Sequence, residues 1–240
     1  MPARIRAGTA LGLALLLVLL LVLLLAGCSG KPPVLSRVLG RVIYVHDSAT
    51  NTSSETLGVY LVASDPDGME NLSAFYVIND DAELFWKVDS TSWTTATAEG
   101  ESWIGTSSLA MPGASAVPPG EYRVVLQSKD GATVEQTFTV TARGVTAAQA
   151  KFPTAVVEAG HIRVSGVNGA YEVWAYGKDG RFADSFSSPG PSSPVSVASI
   201  EASSPSLATG FTFRVYVWHP DAGYGVLSGT YSSGGQPGTP

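Results

Sequence analysis

Gly120-Glu121-Tyr122-Arg123-Val124-Val125-Leu126-Gln127 runs into Lys129-Asp130-Gly131 and returns through Thr133-Val134-Glu135-Gln136-Thr137-Phe138-Thr139-Val140. Tyr122, Val124 and Leu126 alternate with Arg123, Val125 and Gln127. A period of two suits a strand with one buried face. Asp130-Gly131 reverses the chain, because glycine accepts the positive φ that a tight turn demands. On the way back Val134, Gln136, Phe138 and Val140 face in, and Thr133, Glu135, Thr137 and Thr139 face out. These residues predict an antiparallel hairpin.

The same grammar extends towards the N-terminus. Val38–Val45 is apolar and β-branched, and Leu57, Val59, Leu61 and Ala63 share one face of a second strand. Asp65-Pro66-Asp67-Gly68 is a turn, followed by a strand over 72–78 and a break at Asn79-Asp80-Asp81. Leu84, Trp86 and Val88 point one way, Phe85 and Lys87 the other. A polar Ser/Thr stretch precedes a strand over 103–109, and Pro118-Pro119-Gly120 breaks the chain again. About seven strands in about 100 residues, with turns every ten or so, is the pattern of an Ig-like sandwich.

Asp65-Pro66-Asp67-Gly68 before a strand, and Pro119-Gly120-Glu121-Tyr122-Arg123-Val124 leading to Lys129-Asp130-Gly131, resemble the fibronectin type III and Ig-like modules of exported bacterial proteins. The likeness covers about 37–141 and speaks to fold rather than function. No Cys–Trp–Cys core is present, so an antibody-type domain is excluded.

Beyond it, 142–154 reads as a linker with room for a short helix over 146–151. A second β segment spans 155–231. Val156, Val157, Ile162 and Val164 mark brief strands, and 171–176 meets 182–186 through Gly177-Lys178-Asp179-Gly180, a hairpin signal. A weak strand is expected over 195–200 and a strong one over 211–218, with His219-Pro220-Asp221-Ala222-Gly223 turning into 224–231. Residues 232–240 are low in complexity and expected to be disordered. The fold class is therefore all-β: an Ig-like β-sandwich, then a second, smaller β-sandwich-like module, behind a helical leader.

That leader occupies 1–27. Arg4 and Arg6 form a basic start, Leu11–Leu25 is almost pure Leu, Val and Ala, and Leu25-Ala26-Gly27-Cys28 closes it. A basic n-region, an apolar core and small residues before a boundary make a secretory signal peptide. The closing four residues resemble the lipobox of bacterial lipoproteins. The resemblance implies cleavage between Gly27 and Cys28 and acylation of Cys28, with palmitate among the chains carried. Two other readings stand beside it: an uncleaved membrane helix, since about 20 apolar residues span a bilayer, and an ordinary signal peptide with an incidental cysteine. Residues 28–36 then form a lipidated tether stiffened by Pro32-Pro33. Ser29 stands where an aspartate often retains such proteins at the inner membrane, which favours the outer membrane and leaves periplasmic or surface exposure open.

Cys28 is the one cysteine, so an acylated chain has no disulfide and depends on burial. The leader holds two of the 14 basic residues and none of the 20 acidic ones, leaving −8 on residues 28–240. That charge argues against nucleic acid as a partner.

Three constellations are candidates for chemistry. Trp174 and Tyr176 share one side of the 171–176 strand with Glu172, while Arg214, Tyr216 and Trp218 share one side of 211–218, opposite Phe211, Phe213, Val215 and Val217. If these strands are neighbours, the four rings and Arg214 form an aromatic face suited to a sugar or a protein partner. The competing expectation is packing against the rest of the chain. Asp65, Asp67 and Glu70 are a weak calcium candidate, with Asn79, Asp80, Asp81 and Glu83 at a second turn. Their spacing does not match an EF-hand. His46, His161 and His219 lie in no nucleophile or metal-ligand pattern, so no catalytic residue and no cofactor is expected. Asn51-Thr52-Ser53 and Asn71-Leu72-Ser73 match a glycosylation pattern that carries no weight beside a lipobox. The expected function is a membrane-anchored envelope or surface lipoprotein acting as a non-enzymatic binding or structural module, its partner an unidentified protein or glycan. The alternative is a carbohydrate-binding accessory lipoprotein using the aromatic face, with an envelope hydrolase behind both.

Overall fold

The 120–140 hairpin forms as its alternation dictates. In the computed structural model, which describes residues 31–98 and 100–234, Gly120–Ser128 pairs antiparallel with Thr133–Val140, Tyr122 opposite Phe138. Tyr122, Val124 and Leu126 are fully buried. In chain order the first strands are β1 (Val34–Asp47), β2 (Thr52–Ser64), β3 (Leu72–Asn79) and β4 (Leu84–Asp89). Next come β5 (Thr94–Ala98), β6 (Glu101–Ala110), β7 (Gly120–Ser128) and β8 (Thr133–Val140). The later part adds β9 (Thr154–Glu158), β10 (His161–Ser165), β11 (Tyr171–Tyr176) and β12 (Phe182–Ser188). It closes with β13 (Val195–Ser196), α1 (Val197–Ser203), β14 (Thr212–His219), β15 (Tyr224–Leu227) and β16 (Tyr231–Ser232). The protein is all-β, with one short α-helix among the described residues.

These strands make three sheets. The largest runs β12-β11-β14-β15-β1-β2-β6-β5, with β16 beside β14. A four-stranded sheet, β4-β3-β7-β8, covers one part of it, and a three-stranded sheet, β13-β10-β9, covers another. One apolar core runs beneath both covers. It takes Val42 and Tyr44 from β1, Leu57 and Leu61 from β2, and Phe213 and Val215 from β14. Alternation decides which side chains enter it, since successive residues of a strand face opposite ways.

The two β segments share the large sheet. β1 pairs antiparallel with β2 along its length and parallel with β15 from Val42↔Tyr224 to Val45↔Leu227. The stretch 142–154, expected as a linker, is fastened to the body. Arg143 forms a buried ion pair with Glu55, and its Nη2 also donates to the Val117 carbonyl at 2.7 Å. Val117 N–H donates to Glu55 Oε1 at 2.9 Å, and Tyr44 O–H donates to the Val145 carbonyl at 2.5 Å. The helix expected near 146–151 is a single 3-10 turn, Ala147–Gln149, with a Thr146/Gln149 capping box.

Three further differences have local causes. β1 begins at Val34, so the end of the expected tether is already paired, Val34 with Ser64. The Ser/Thr stretch contains β5, whose β-branched threonines suit an edge strand. The strand expected over 195–200 stops after Ser196. That serine caps α1 by accepting from Ser199 N–H at 3.4 Å, and the helix buries Ile200.

Candidate functional site

The expected aromatic residues stand on neighbouring strands. β11 pairs with β14 so that Trp174 lies opposite Arg214, and Glu172 opposite Tyr216. Phe211, Phe213, Val215 and Val217 fill the core on the other side, each at most 7% exposed. The rings do not form an open platform. Trp174 is 8% exposed and Tyr216 3%, while Tyr176 and Trp218 are half-buried. Trp174 stacks on Tyr216 with centroids 4.8 Å apart and meets Phe182 edge-on at 6.1 Å.

What covers them is the sheet itself. A cleft of about 190 Å³ is lined by Phe182 and Ser185 of β12 and by Thr94 and Ala96 of β5. Those strands are the two ends of the long sheet. Ends that border one cleft require the sheet to curl, as twisted sheets with bulges do. Bulges fall at Leu35/Arg37, Leu57/Val59 and Ala175/Tyr176. Ile43 lies in the middle of the concave face, buried with Trp174, Tyr216 and Leu227.

Two glycines allow the rings to lie flat on this face. Gly105 is the cross-strand partner of Tyr60, and Gly225 lies beside Tyr216. A Cβ at either position would overlap the neighbouring tyrosine ring. Glycine inside a strand often marks such close approach.

The polar groups on this face of the sheet are unevenly satisfied; Arg41 and Glu172 line the cleft, and Arg214 lies outside its lining. Arg214 Nε donates to the Ser228 carbonyl at 2.7 Å and its Nη2 to the His46 carbonyl at 2.9 Å. Both acceptors are neutral, and burial pushes the guanidinium below its usual value, with Tyr176 and Asp47 opposing. Arg41 lies over the Trp218 ring at 4.4 Å, a cation–π contact, and its buried Nε has no hydrogen-bond partner. Glu172 Oε2 accepts from Trp174 Nε1–H at 2.8 Å. Among the described residues neither Arg41 nor Glu172 has an oppositely charged side chain within salt-bridge distance. Burial pushes the Tyr176 phenol up to about 12, with Arg214 opposing. Burial also raises Tyr60, against a hydrogen bond with Ser107, and Tyr216, against the charge of Arg41. All three phenols are neutral donors at pH 7.

The other expected residues lie elsewhere. Asp65 closes its own turn, Oδ1 accepting from Asp67 N–H at 2.8 Å and Oδ2 from the Asn71 amide at 3.2 Å. Glu70 folds back over Gly68. Among the described residues no group of three or more His, Cys, Asp or Glu side chains is placed to hold a metal ion. At the second acidic turn Asp80 pairs with Arg123 at 3.2 Å. His46 lies tilted near Phe152 and His219 near Tyr224, and His161 Nδ1 bonds to the Ala159 carbonyl. Gly27 and Cys28, with the whole leader, lie outside the described residues, as do 235–240 of the tail. No helix among the described residues is long and apolar enough to cross a membrane.

Arg41, Tyr60 and Trp103 were not expected in this site. Arg41 interrupts an apolar run, and its place between Leu39 and Ile43 on one face was the available signal. Tyr60 and Trp103 belong to strands distant in sequence, and only the curl of the sheet brings them to β11.

The class defined by these observations is an all-β protein of stacked sheets with an aromatic, charge-bearing cleft. No family model matches the sequence, and no curated protein does. Among solved structures the chain is similar to dimeric latent PorU from Porphyromonas gingivalis, at 13% identity and a TM-score of 0.31, over 84% of this chain and 20% of that one. The chain thus spans about a fifth of that protein, and a likeness this loose is no guide to function.

Proposed function

We propose that this chain is an exported bacterial lipoprotein, held to the cell envelope by acyl chains on Cys28, whose β body is a non-enzymatic binding module. The observation that carries this is the order of Arg4 and Arg6, the apolar run Leu11–Leu25 and Leu25-Ala26-Gly27-Cys28, with Cys28 the one cysteine of the chain. Each buried methylene contributes about 0.8 kcal/mol, and two or more chains make a durable anchor. β1 starts six residues beyond Cys28, at Val34, which keeps the body close to the lipid surface. Ser29 favours the outer membrane. The Ig-like and fibronectin-like character of 37–141 belongs to the same proposal: a rigid scaffold whose exposed surfaces do the recognising.

The test is intact-mass analysis of the protein extracted from native membranes. The expected mass is that of residues 28–240 plus two or three acyl chains, and Cys28→Ser is expected to leave the leader uncleaved and the lipid absent. A mature protein with an unmodified thiol would overturn the proposal.

A second reading, a carbohydrate-binding lipoprotein, is favoured by one observation. The cleft combines half-buried rings with Arg41 and Glu172, charged groups that the described residues do not neutralise. Ligand sites of this kind are apolar-walled with a few placed polar groups.

A further inference from the structure

The chemistry of the cleft narrows what it holds. This inference rests on the carbohydrate reading, and on no part of the lipid anchor. Three demands meet in one concave space. Arg41 lines the space and has no acidic side chain within salt-bridge distance among the described residues. The planar fork of arginine matches a carboxylate. Glu172 is an acceptor with one oxygen engaged by Trp174, and it calls for hydroxyl or amide donors rather than for a second anion. Trp103 and Phe182 stand as apolar walls from β6 and β12, both half-buried and thus reachable from the cleft.

Charge and size add to this. The lining of the cleft carries one cation, Arg41, and one anion, Glu172. About 190 Å³ holds about six waters, close to the volume of one sugar ring. Tyr60, Tyr176 and Ser107 add hydroxyls around the same space. An aromatic acid satisfies Arg41 and the walls but leaves Glu172 without donors. A neutral sugar satisfies Glu172 and the walls and accepts from Arg41 through its hydroxyls, but brings no charge to match the guanidinium.

We propose that the cleft binds a single anionic sugar residue, its carboxylate on Arg41, its hydroxyls towards Glu172 and its C–H face against the aromatic walls. The test titrates the detergent-solubilised full chain with glucuronic acid, glucose and benzoate, following tryptophan fluorescence. Expected is a saturable change with glucuronic acid and at least tenfold weaker binding of glucose and of benzoate. Arg41→Gln is expected to equalise glucuronic acid and glucose. Glu172→Gln is expected to weaken both sugars about equally, which keeps the test open if Arg41→Gln melts early. Equal binding of the two sugars to the unaltered chain overturns the anionic assignment and leaves the carbohydrate reading standing. Benzoate binding as well as glucuronic acid overturns the sugar. No saturable change with any of the three overturns both the assignment and the carbohydrate reading.

Discussion

On one face of the long sheet Glu55 meets Arg143; on the other, Arg41 and Glu172 meet no opposite charge among the described residues. The first pair lies at the end of the β2 row that continues through Leu57, Val59 and Leu61 into the core. Its side chains are 6% and 7% exposed, and backbone groups of Val117 bond to both, while the buried Arg143 Nε has no partner. The second set lines a cleft open to solvent. Ionised groups in a core are retained where they are paired and hydrogen-bonded. Unpaired ones persist only where water, or a ligand, reaches them. The two faces of one sheet thus separate a charge paired within the fold from charges that no described side chain pairs.

The sharpest way to break this comparison is at the core pair. Glu55→Gln leaves Arg143 buried without its counter-ion and is expected to destabilise the protein by about 3–5 kcal/mol in urea unfolding. A loss no larger than that of an exposed pair would mean that the 142–154 segment is not held by this contact.

Next comes the floor of the cleft. Gly225→Ala places a methyl group against the Tyr216 ring. Overpacking of this kind costs about 1–3 kcal/mol. A thermal melt reads the loss, and Trp174 fluorescence is expected to shift because Tyr216 stacks on it. An unchanged melt would show that this face yields where the core does not.

Alkaline titration sharpens the contrast further. The Tyr176 phenol stands near 10 in the unfolded chain and at about 12 in the fold. Between those values the folded state holds the proton that the unfolded state has lost, so stability is complete below pH 10 and falls as pH rises towards 12. Tyr176→Phe is expected to flatten that fall in melts across the window. An equally steep fall in the variant would assign it to other groups, Tyr60 and Tyr216 first.

The smallest effect is expected at Arg41. Its cation–π contact with Trp218 contributes about 0.5–1 kcal/mol. Arg41→Gln should therefore change stability by no more than that in urea, far less than Glu55→Gln. A loss of several kcal/mol would place Arg41 among the groups that hold the fold.

Much of the architecture was legible because alternation is a local signal. Tyr122, Val124 and Leu126, and Phe213, Val215 and Val217, are core residues on the faces their spacing assigned. β5 was not legible, because an edge strand of threonines buries too little to imprint a pattern. Nor was α1, where Ser196 turns a β-like start into a helix. The aromatic rings were legible as one face, since residues two apart share a side. Their enclosure was not, because it depends on strands 94–98 and 182–188 meeting through the curl of a sheet. Arg41 shares a face with Leu39 and Ile43, and that alternation was a signal, but one charge inside an apolar run does not say what the face meets.

The parallel ladder between β1 and β15 sets the order of events during synthesis. Residues 42–45 leave the ribosome long before their second neighbour, 224–227. Closing so long a loop makes for high contact order and slow assembly. Until then the growing chain presents an unfilled strand edge, the kind of surface that pairs with other chains. A product ending before Tyr224 lacks the seam strand altogether, so β14, β11 and β12 have nothing to join, and premature termination should yield aggregate rather than a smaller folded protein.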